Sequence, residues 1–180
     1  RVMHVGRLVE WKRVDLLLEA VSELAARFPE IELLIVGEGP RKADYEELAR
    51  RLGLQGRVRF VGGVYDARIL GRYFRASSVY VLAGMGGLSI NDAMAFGLPV
   101  VCSVCDGTEK KLVEDGGNGF IFREGSREDL ADKITRILED PDRRRAMGRR
   151  SRQIIEEQVN INTVIDGYMR AFRFVLGRAS

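Results

Sequence analysis

An α/β domain is expected from this chain: a doubly wound parallel sheet of about six strands with helices on both faces. Three features lead there. Short apolar runs alternate with amphipathic stretches from end to end, the pattern of successive β-α-β units. The apolar runs lack an inside-outside alternation, as strands buried on both faces do. Glycines follow the runs at Gly6, at Gly37 and Gly39, at Gly62 and Gly63, at Gly84, Gly86 and Gly87, and at Gly107. In a parallel sheet this brings five glycine loops to one rim, at the carboxyl ends of the strands, where open α/β sheets bind ligands.

Each element has its own signal. Val2-Met3-His4-Val5 reads as a strand, and residues 14–28 as a helix with Leu16, Leu17, Ala20, Val21 and Leu24 on one side. Residues 32–36 form a continuous apolar strand ending at Gly37-Glu38-Gly39-Pro40, and residues 42–52 a helix closed by Gly53. A third strand is expected over 58–61, a short helix over 67–76 and a fourth strand over 78–82. Residues 89–96 read as a helix capped by Gly97, after which Pro99 leads into a fifth strand over 100–104. A sixth short strand spans 120–122, and helices over 127–138, 141–158 and 161–176 close the chain. The 180 residues show no repeat, linker or low-complexity tract, so residues 1–180 are read as one domain.

Composition narrows the function. A formal net charge of +3 is too slight to imply nucleic acid. The apolar run near Val79 and Leu82 is far too short for a membrane span. With no initiator Met and no signal peptide, the chain reads as an excised piece that opens inside a strand. Cys102 and Cys105 form C-x-x-C at a strand end rather than at the start of a helix, where redox motifs sit, so reduced thiols are expected. A single histidine, His4, and no second cysteine pair leave no zinc site. His4 lies in a buried strand and is read as a core residue. The arginines at 143, 144, 145, 149, 150 and 152 spread around a helix beside Asp140, Asp142, Glu156 and Glu157, which suits a solvated surface better than a nucleic-acid or lipid patch.

Several rim residues could carry chemistry. In Gly6-Arg7-Leu8-Val9-Glu10-Trp11-Lys12 the glycine lets a ligand approach the backbone, and Arg7 and Lys12 supply a fork and a point charge suited to a diphosphate. Taken alone, the two would sooner be read as solvated surface cations. Gly37 and Gly39 either line a pocket or only permit a turn. After Phe60-Val61-Gly62-Gly63, Val64 could read a base edge with its main chain or be a buried residue after a turn. Gly86, Gly87 and Leu88 precede a helix whose first amides attract phosphate and sugar hydroxyls. Asp92 lies three residues after Ser89, the spacing of a capping box.

The run from Ala83 to Asp92 followed by Ala93-Met94-Ala95-Phe96-Gly97-Leu98-Pro99-Val100-Val101 resembles the signature loop of the GT-B glycosyltransferases of family 4. Gly6-Arg7-Leu8, Val36-Gly37-Glu38-Gly39-Pro40, Phe60-Val61-Gly62 and Asp115-Gly116-Gly117-Asn118-Gly119-Phe120 match the same family in order and spacing. The resemblance implies one Rossmann-like half of a GT-B enzyme, the C-terminal half that binds the donor. It implies that Arg7 and Lys12 neutralise the leaving nucleoside diphosphate as the catalytic pair. Gly6, Gly37, Gly39, Val64, Gly86, Gly87, Leu88 and Asp92 would line the donor site, with Asp92 in the place of the family's second glutamate, on the ribose hydroxyls. The first glutamate of the E-x7-E pair falls on Gly84, which can neither accept a side-chain hydrogen bond nor carry charge. Asp106 and Glu109 are nearby carboxylates that could compensate.

The implied reaction is transfer of a sugar from a nucleoside-diphosphate sugar to an acceptor with retention, in glycan, glycolipid or cell-surface polysaccharide synthesis. No metal or cofactor is required if Arg7, Lys12 and helix amides meet the diphosphate charge. The alternatives are a non-catalytic nucleotide-sugar-binding module, motivated by Gly84, and half of a nucleotide-sugar epimerase, which shares the two-domain plan. The isolated domain is expected to be inactive. Its expected partners are the donor, an N-terminal acceptor-binding domain of the same protein and, through a lipid-linked acceptor, the membrane surface. The expected location is the cytoplasm, including the inner face of the membrane. The last helix, with Tyr168, Phe172, Phe174 and Val175, would reach back onto the missing half and expose aromatics without it.

Overall fold

The structure is a computed structural model that describes residues 1–104, 107 and 109–177, without the side chain of Lys110. Six strands form one parallel sheet: β1 (Val2–Val5), β2 (Leu33–Val36), β3 (Val58–Gly62), β4 (Val79–Leu82), β5 (Val100–Ser103) and β6 (Gly119–Phe122). Their order is β3-β2-β1-β4-β5-β6, so the chain reverses direction across the sheet between β1 and β4. This is the order of dinucleotide-binding folds, and the reversal opens a crevice beyond the carboxyl ends of the two central strands.

Among the described residues, eight α-helices lie between and after the strands: α1 (Val14–Leu24), α2 (Lys42–Arg51), α3 (Ala67–Arg75), α4 (Ser89–Ala95), α5 (Glu109–Leu112), α6 (Arg127–Leu138), α7 (Pro141–Gln158) and α8 (Ile161–Val175). One face of the sheet packs on α1, α2 and α6 through residues such as Leu17, Val21, Tyr45, Leu130 and Ile134. The other packs on α3, α4 and α7 through Phe74, Ile90, Met94 and Ile154. With β1, β2, β4 and β5 almost wholly buried, the absence of alternation in the sequence is explained. The edge strand β3 differs: Arg59 is exposed and its neighbours are half-buried.

Two elements were not expected. A single 3-10 turn spans Glu10–Lys12, and Arg13 after it sits at φ +50°, the left-handed region, before α1 begins. The short α5 follows β5. The first helix ends at Leu24 rather than at 28, the remainder forming a turn in which Phe28 N–H donates to the Leu24 carbonyl.

Among the described residues, side-chain caps fix four helix starts. Asp66, Ser126, Asp140 and Asn160 accept backbone N–H groups at the heads of α3, α6, α7 and α8. The capping box that the spacing of Ser89 and Asp92 would allow does not form. Leu88 is the cap of α4, and no side chain caps it.

Behind the sheet, Gly97 and Gly148 let the end of α4 and the middle of α7 touch, since a Cβ at Gly148 would overlap the Gly97 carbonyl. In the Asp115–Phe120 segment, buried Asn118 accepts from the Glu114 amide (2.7 Å) and donates to the Leu112 carbonyl (3.0 Å), a structural role. The α7 arginines pair within the chain, Arg143 with Asp140, Arg145 with Asp142, Arg150 with Glu114 and Arg152 with Glu156, as a solvated face requires. No helix among the described residues is long and apolar enough to cross a membrane. Along α8 no residue is buried, and Tyr168, Phe172, Phe174 and Val175 stand in solvent.

Candidate functional site

The crevice at the strand reversal begins where β1 and β4 part. They pair only through Val2 with Val79 and Met3 with Tyr80. Beyond Met3 the main-chain groups on that side need other partners, because a buried carbonyl left unpaired is costly. Side chains provide them. The Val81 carbonyl lies 3.1 Å from His4 Nδ1, and the Val5 carbonyl accepts from Ser89 Oγ at 2.9 Å. Tyr80 Oη lies 2.7 Å from Ser89 Oγ. With Ser89 donating to the Val5 carbonyl, Tyr80 is the donor in that contact, and its hydroxyl also lies 3.4 Å from the same Val5 carbonyl. This chain of bonds, not a cap, seats the start of α4 against the end of β1.

His4 is fully buried, and desolvation lowers its pKa to about 4, so the ring is neutral near pH 7. Nδ1 therefore carries the proton given to Val81, and Nε2 is an acceptor with no partner among the described residues. It lies just beneath Gly6, where a Cβ would come within 3.2 Å of it. The tyrosine hydroxyl of Tyr80 is likewise buried and its pKa is pushed up by desolvation.

On the β1–β3 side the loops interlock through backbone. Gly6 N–H donates to Val36 (3.0 Å), Leu8 N–H to Glu38 (2.9 Å) and Arg41 N–H back to Leu8 (3.1 Å). Gly37 at φ +149° and Gly39 permit this, for a Cβ at Gly37 would overlap the Gly6 carbonyl and one at Gly39 the Leu8 backbone. Above these loops lies a cleft of about 520 Å³ lined by Gly6, Arg7, Gly37, Glu38, Gly39, Gly63, Val64 and Tyr65, among others. Five of the expected site residues, Gly6, Arg7, Gly37, Gly39 and Val64, thus share one cavity. Arg7 is exposed at its edge, and its guanidinium has no ion-pair partner among the described residues.

The remaining expected residues lie on the β4 side. Lys12 Nζ donates to the Met85 carbonyl at 2.8 Å and to the Gly86 carbonyl, and a Cβ at Gly87 would come within 3.1 Å of it. Gly6 joins the two groups, since its Cβ would stand 4.0 Å from Lys12 Cε. Leu88 points into solvent. Asp92 is exposed, yet partial desolvation holds its carboxyl above the usual carboxylate range. Gly84 is buried, Met85 N–H donates to the Trp11 carbonyl (2.8 Å), and a Cβ at Gly84 would overlap that same carbonyl. Here the glycine is a packing requirement, which the letter alone could not distinguish from a lost carboxylate.

Of the two carboxylates expected to compensate, Asp106 lies outside the described residues, as does Cys105. Glu109 is buried and accepts from the Gly107 amide at 3.1 Å within its own loop. Among the described residues no cluster of three or more His, Cys, Asp or Glu side chains could hold a metal ion. Sequence reasoning missed Glu38 and Tyr65 as lining residues, and the polar chain through Tyr80 and Ser89. An aromatic residue two positions after a glycine turn on the binding rim was the available signal for Tyr65.

The model of glycosyl transferases group 1 matches residues 1–154. The chain belongs to the group 1 glycosyltransferases. An uncharacterized glycosyltransferase of Haemophilus influenzae is 30% identical to it over 168 residues, 92% of this chain and 46% of the relative. The lipopolysaccharide core biosynthesis glycosyltransferase LpsE of Rhizobium meliloti is 32% identical over 172 residues, 94% of this chain and 48% of the relative. This group 1 glycosyltransferase chain therefore spans about half the length of those curated relatives. Its Rossmann-like fold superposes on HepE of Anabaena, solved in complex with UDP, with a TM-score of 0.84 and 27% identity over 95% of this chain and 48% of that one. The C-terminal domain of the group 1 glycosyl transferase LpcC from Francisella tularensis shares the fold at a TM-score of 0.80 and 22% identity, over 89% of this chain and 86% of that one.

Proposed function

We propose that this glycosyltransferase chain is the donor-binding half of a GT-B enzyme of the family 4 type, holding a nucleoside-diphosphate sugar for transfer with retention. The observation that carries the reading is the two-part crevice at the strand reversal. A glycine-floored cleft over β1, β2 and β3 offers room for a nucleoside. Gly6 connects it to the Lys12 ammonium and the head of α4. Arg7 and Lys12 suit the diphosphate, and Asp92, one turn into α4, suits ribose hydroxyls. Support comes also from HepE, 27% identical, which was solved with UDP and with UDP-glucose.

In this reading the charge that grows on the departing diphosphate is met by Arg7, by Lys12 and by main-chain amides, with no metal. Transfer itself needs the acceptor-binding domain, so the chain alone is inactive. The acceptor belongs to glycan, glycolipid or cell-surface polysaccharide synthesis, and the enzyme works in the cytoplasm, including the inner face of the membrane. Calorimetric titration with UDP, GDP and ADP tests the core of the proposal. Heat for at least one is the expected result, and no heat for any of them removes the donor-site reading.

One observation favours a second reading, a non-catalytic nucleotide-sugar-binding module. The position of the family's first glutamate is Gly84, enclosed by the Trp11 and Lys12 backbone. A turnover assay on the full-length protein separates the two, since sugar transfer at an ordinary rate excludes the module.

A further inference from the structure

The cleft over β1–β3 carries one side chain whose placement the packing of the fold does not explain. Tyr65 is 95% exposed, the most solvent-bathed large apolar side chain among the described residues. A single exposed ring is ordinary on a protein surface, so what points to a ligand is its place in the lining of the cleft. The ring is nevertheless positioned. Gly63 lies beneath it, and a Cβ there would approach both Cε2 and the hydroxyl oxygen within 3.2 Å. The next residue, Asp66, anchors the chain by accepting from the amides of Arg68 (2.7 Å) and Ile69 (3.2 Å), which sets where α3 starts. Tyr65 thus stands on a braced corner as one wall of the cleft, beside Val64 and at the same rim as Arg7 and Glu38.

We propose that Tyr65 is a donor-affinity residue that stacks its ring on the nucleobase. The inference rests on the donor-site reading above and adds to it the surface that holds the base. The rest of the cleft is lined by glycines, by Arg7 and Glu38, and by the aliphatic Val5, Val36 and Val64, which can offer hydrogen bonds and some apolar contact to a base but no flat apolar area. An aromatic face supplies that area and accepts any base, because every base has a π-face. Tyr65 therefore contributes affinity, while the choice among bases falls to main-chain groups near Val64.

The test is calorimetric titration of the unmodified chain, Tyr65→Ala and Tyr65→Phe with UDP, GDP, ADP and inorganic pyrophosphate. Stacking contributes enough that Tyr65→Ala should weaken the bound nucleoside diphosphate by roughly tenfold or more. Tyr65→Phe should keep the affinity within about twofold, and pyrophosphate should not distinguish the three proteins. Because the ring is exposed, circular dichroism and the thermal midpoint of Tyr65→Ala should match the unmodified chain. Nucleotide binding unaffected by Tyr65→Ala, or weakened equally for pyrophosphate, overturns this inference and leaves the donor-site reading standing. Absence of nucleotide binding to the unmodified chain overturns both.

Discussion

Where the loops after β1 and β2 meet, main chain lies on main chain: Gly37 under Gly6, Gly39 against Leu8, with hydrogen bonds from Gly6, Leu8 and Arg41 closing the contact. Where β1 meets β4 the strands part after two residue pairs, and side chains hold the gap, His4 to Val81, Ser89 to Val5 and Lys12 to Met85 and Gly86. The first side is built by removing atoms and the second by adding polar groups. A cleft made of close backbone approach tolerates no side chain at all, whereas a side-chain lattice fails one bond at a time. The two sides of one rim should therefore respond to mutation differently.

The largest effect should come from the backbone side. Gly37→Ala places a Cβ on the Gly6 carbonyl at a φ that L residues rarely adopt, and should cost roughly 3 kcal/mol or more by urea denaturation. A loss below about 1 kcal/mol would mean that the loops do not interlock as described.

On the other side, His4 gives a pH signature. Its folded pKa of about 4 lies below the unfolded value of about 6.5, so the unfolded chain binds the extra proton between them. Stability from this group is intact above pH 6.5 and is lost as pH falls toward 4, by about 3 kcal/mol in total. The difference in pH slope between the unmodified chain and His4→Gln, measured by denaturation from pH 7.5 to 4, isolates it. Equal slopes would contradict a buried neutral imidazole.

Gly84→Glu sharpens the contrast because it restores the letter the family signature carries. The collision with the Trp11 carbonyl predicts a stability loss of about 2 kcal/mol and no gain in nucleotide affinity. Tighter binding at unchanged stability would show that the glycine is merely a missing carboxylate. Ser89→Ala should have the smallest effect, about 1 kcal/mol, since it removes the shorter hydroxyl bond to the Val5 carbonyl while Tyr80 Oη, 3.4 Å from that oxygen, can still donate to it. Tyr80→Phe should then cost more on top of Ser89→Ala than by itself, because it removes the remaining hydroxyl donor to the Val5 carbonyl, which a double-mutant cycle reads directly.

Much of the site was legible before the fold. The glycines after each apolar run pointed to one rim because a parallel sheet sends all its carboxyl ends the same way. The Arg7, Gly37, Gly39 and Val64 group assembled in one cleft for that reason. Less legible were contacts that depend on distance across the sheet. Ser89 and Asp92 had the spacing of a capping box, but the hydroxyl of Ser89 found the Val5 carbonyl, 84 positions earlier in the chain. Tyr65 looked like any loop aromatic, because exposure is a property of the surroundings and not of the residue.

By itself the sequence determined the sheet, the order of helices and strands, and the alignment of five glycine loops on one edge. Those follow from local periodicity and from the single direction a parallel strand can take. Tertiary structure decided which glycines are there for space: Gly84 beneath Trp11 and Gly37 beneath Gly6 owe their identity to a neighbour far away in the chain. It also decided the pairing of His4, Ser89 and Tyr80 across the parted strands. Steric exclusion and hydrogen-bond completion act between groups that only folding brings within a few ångströms, so neither is written in the order of letters.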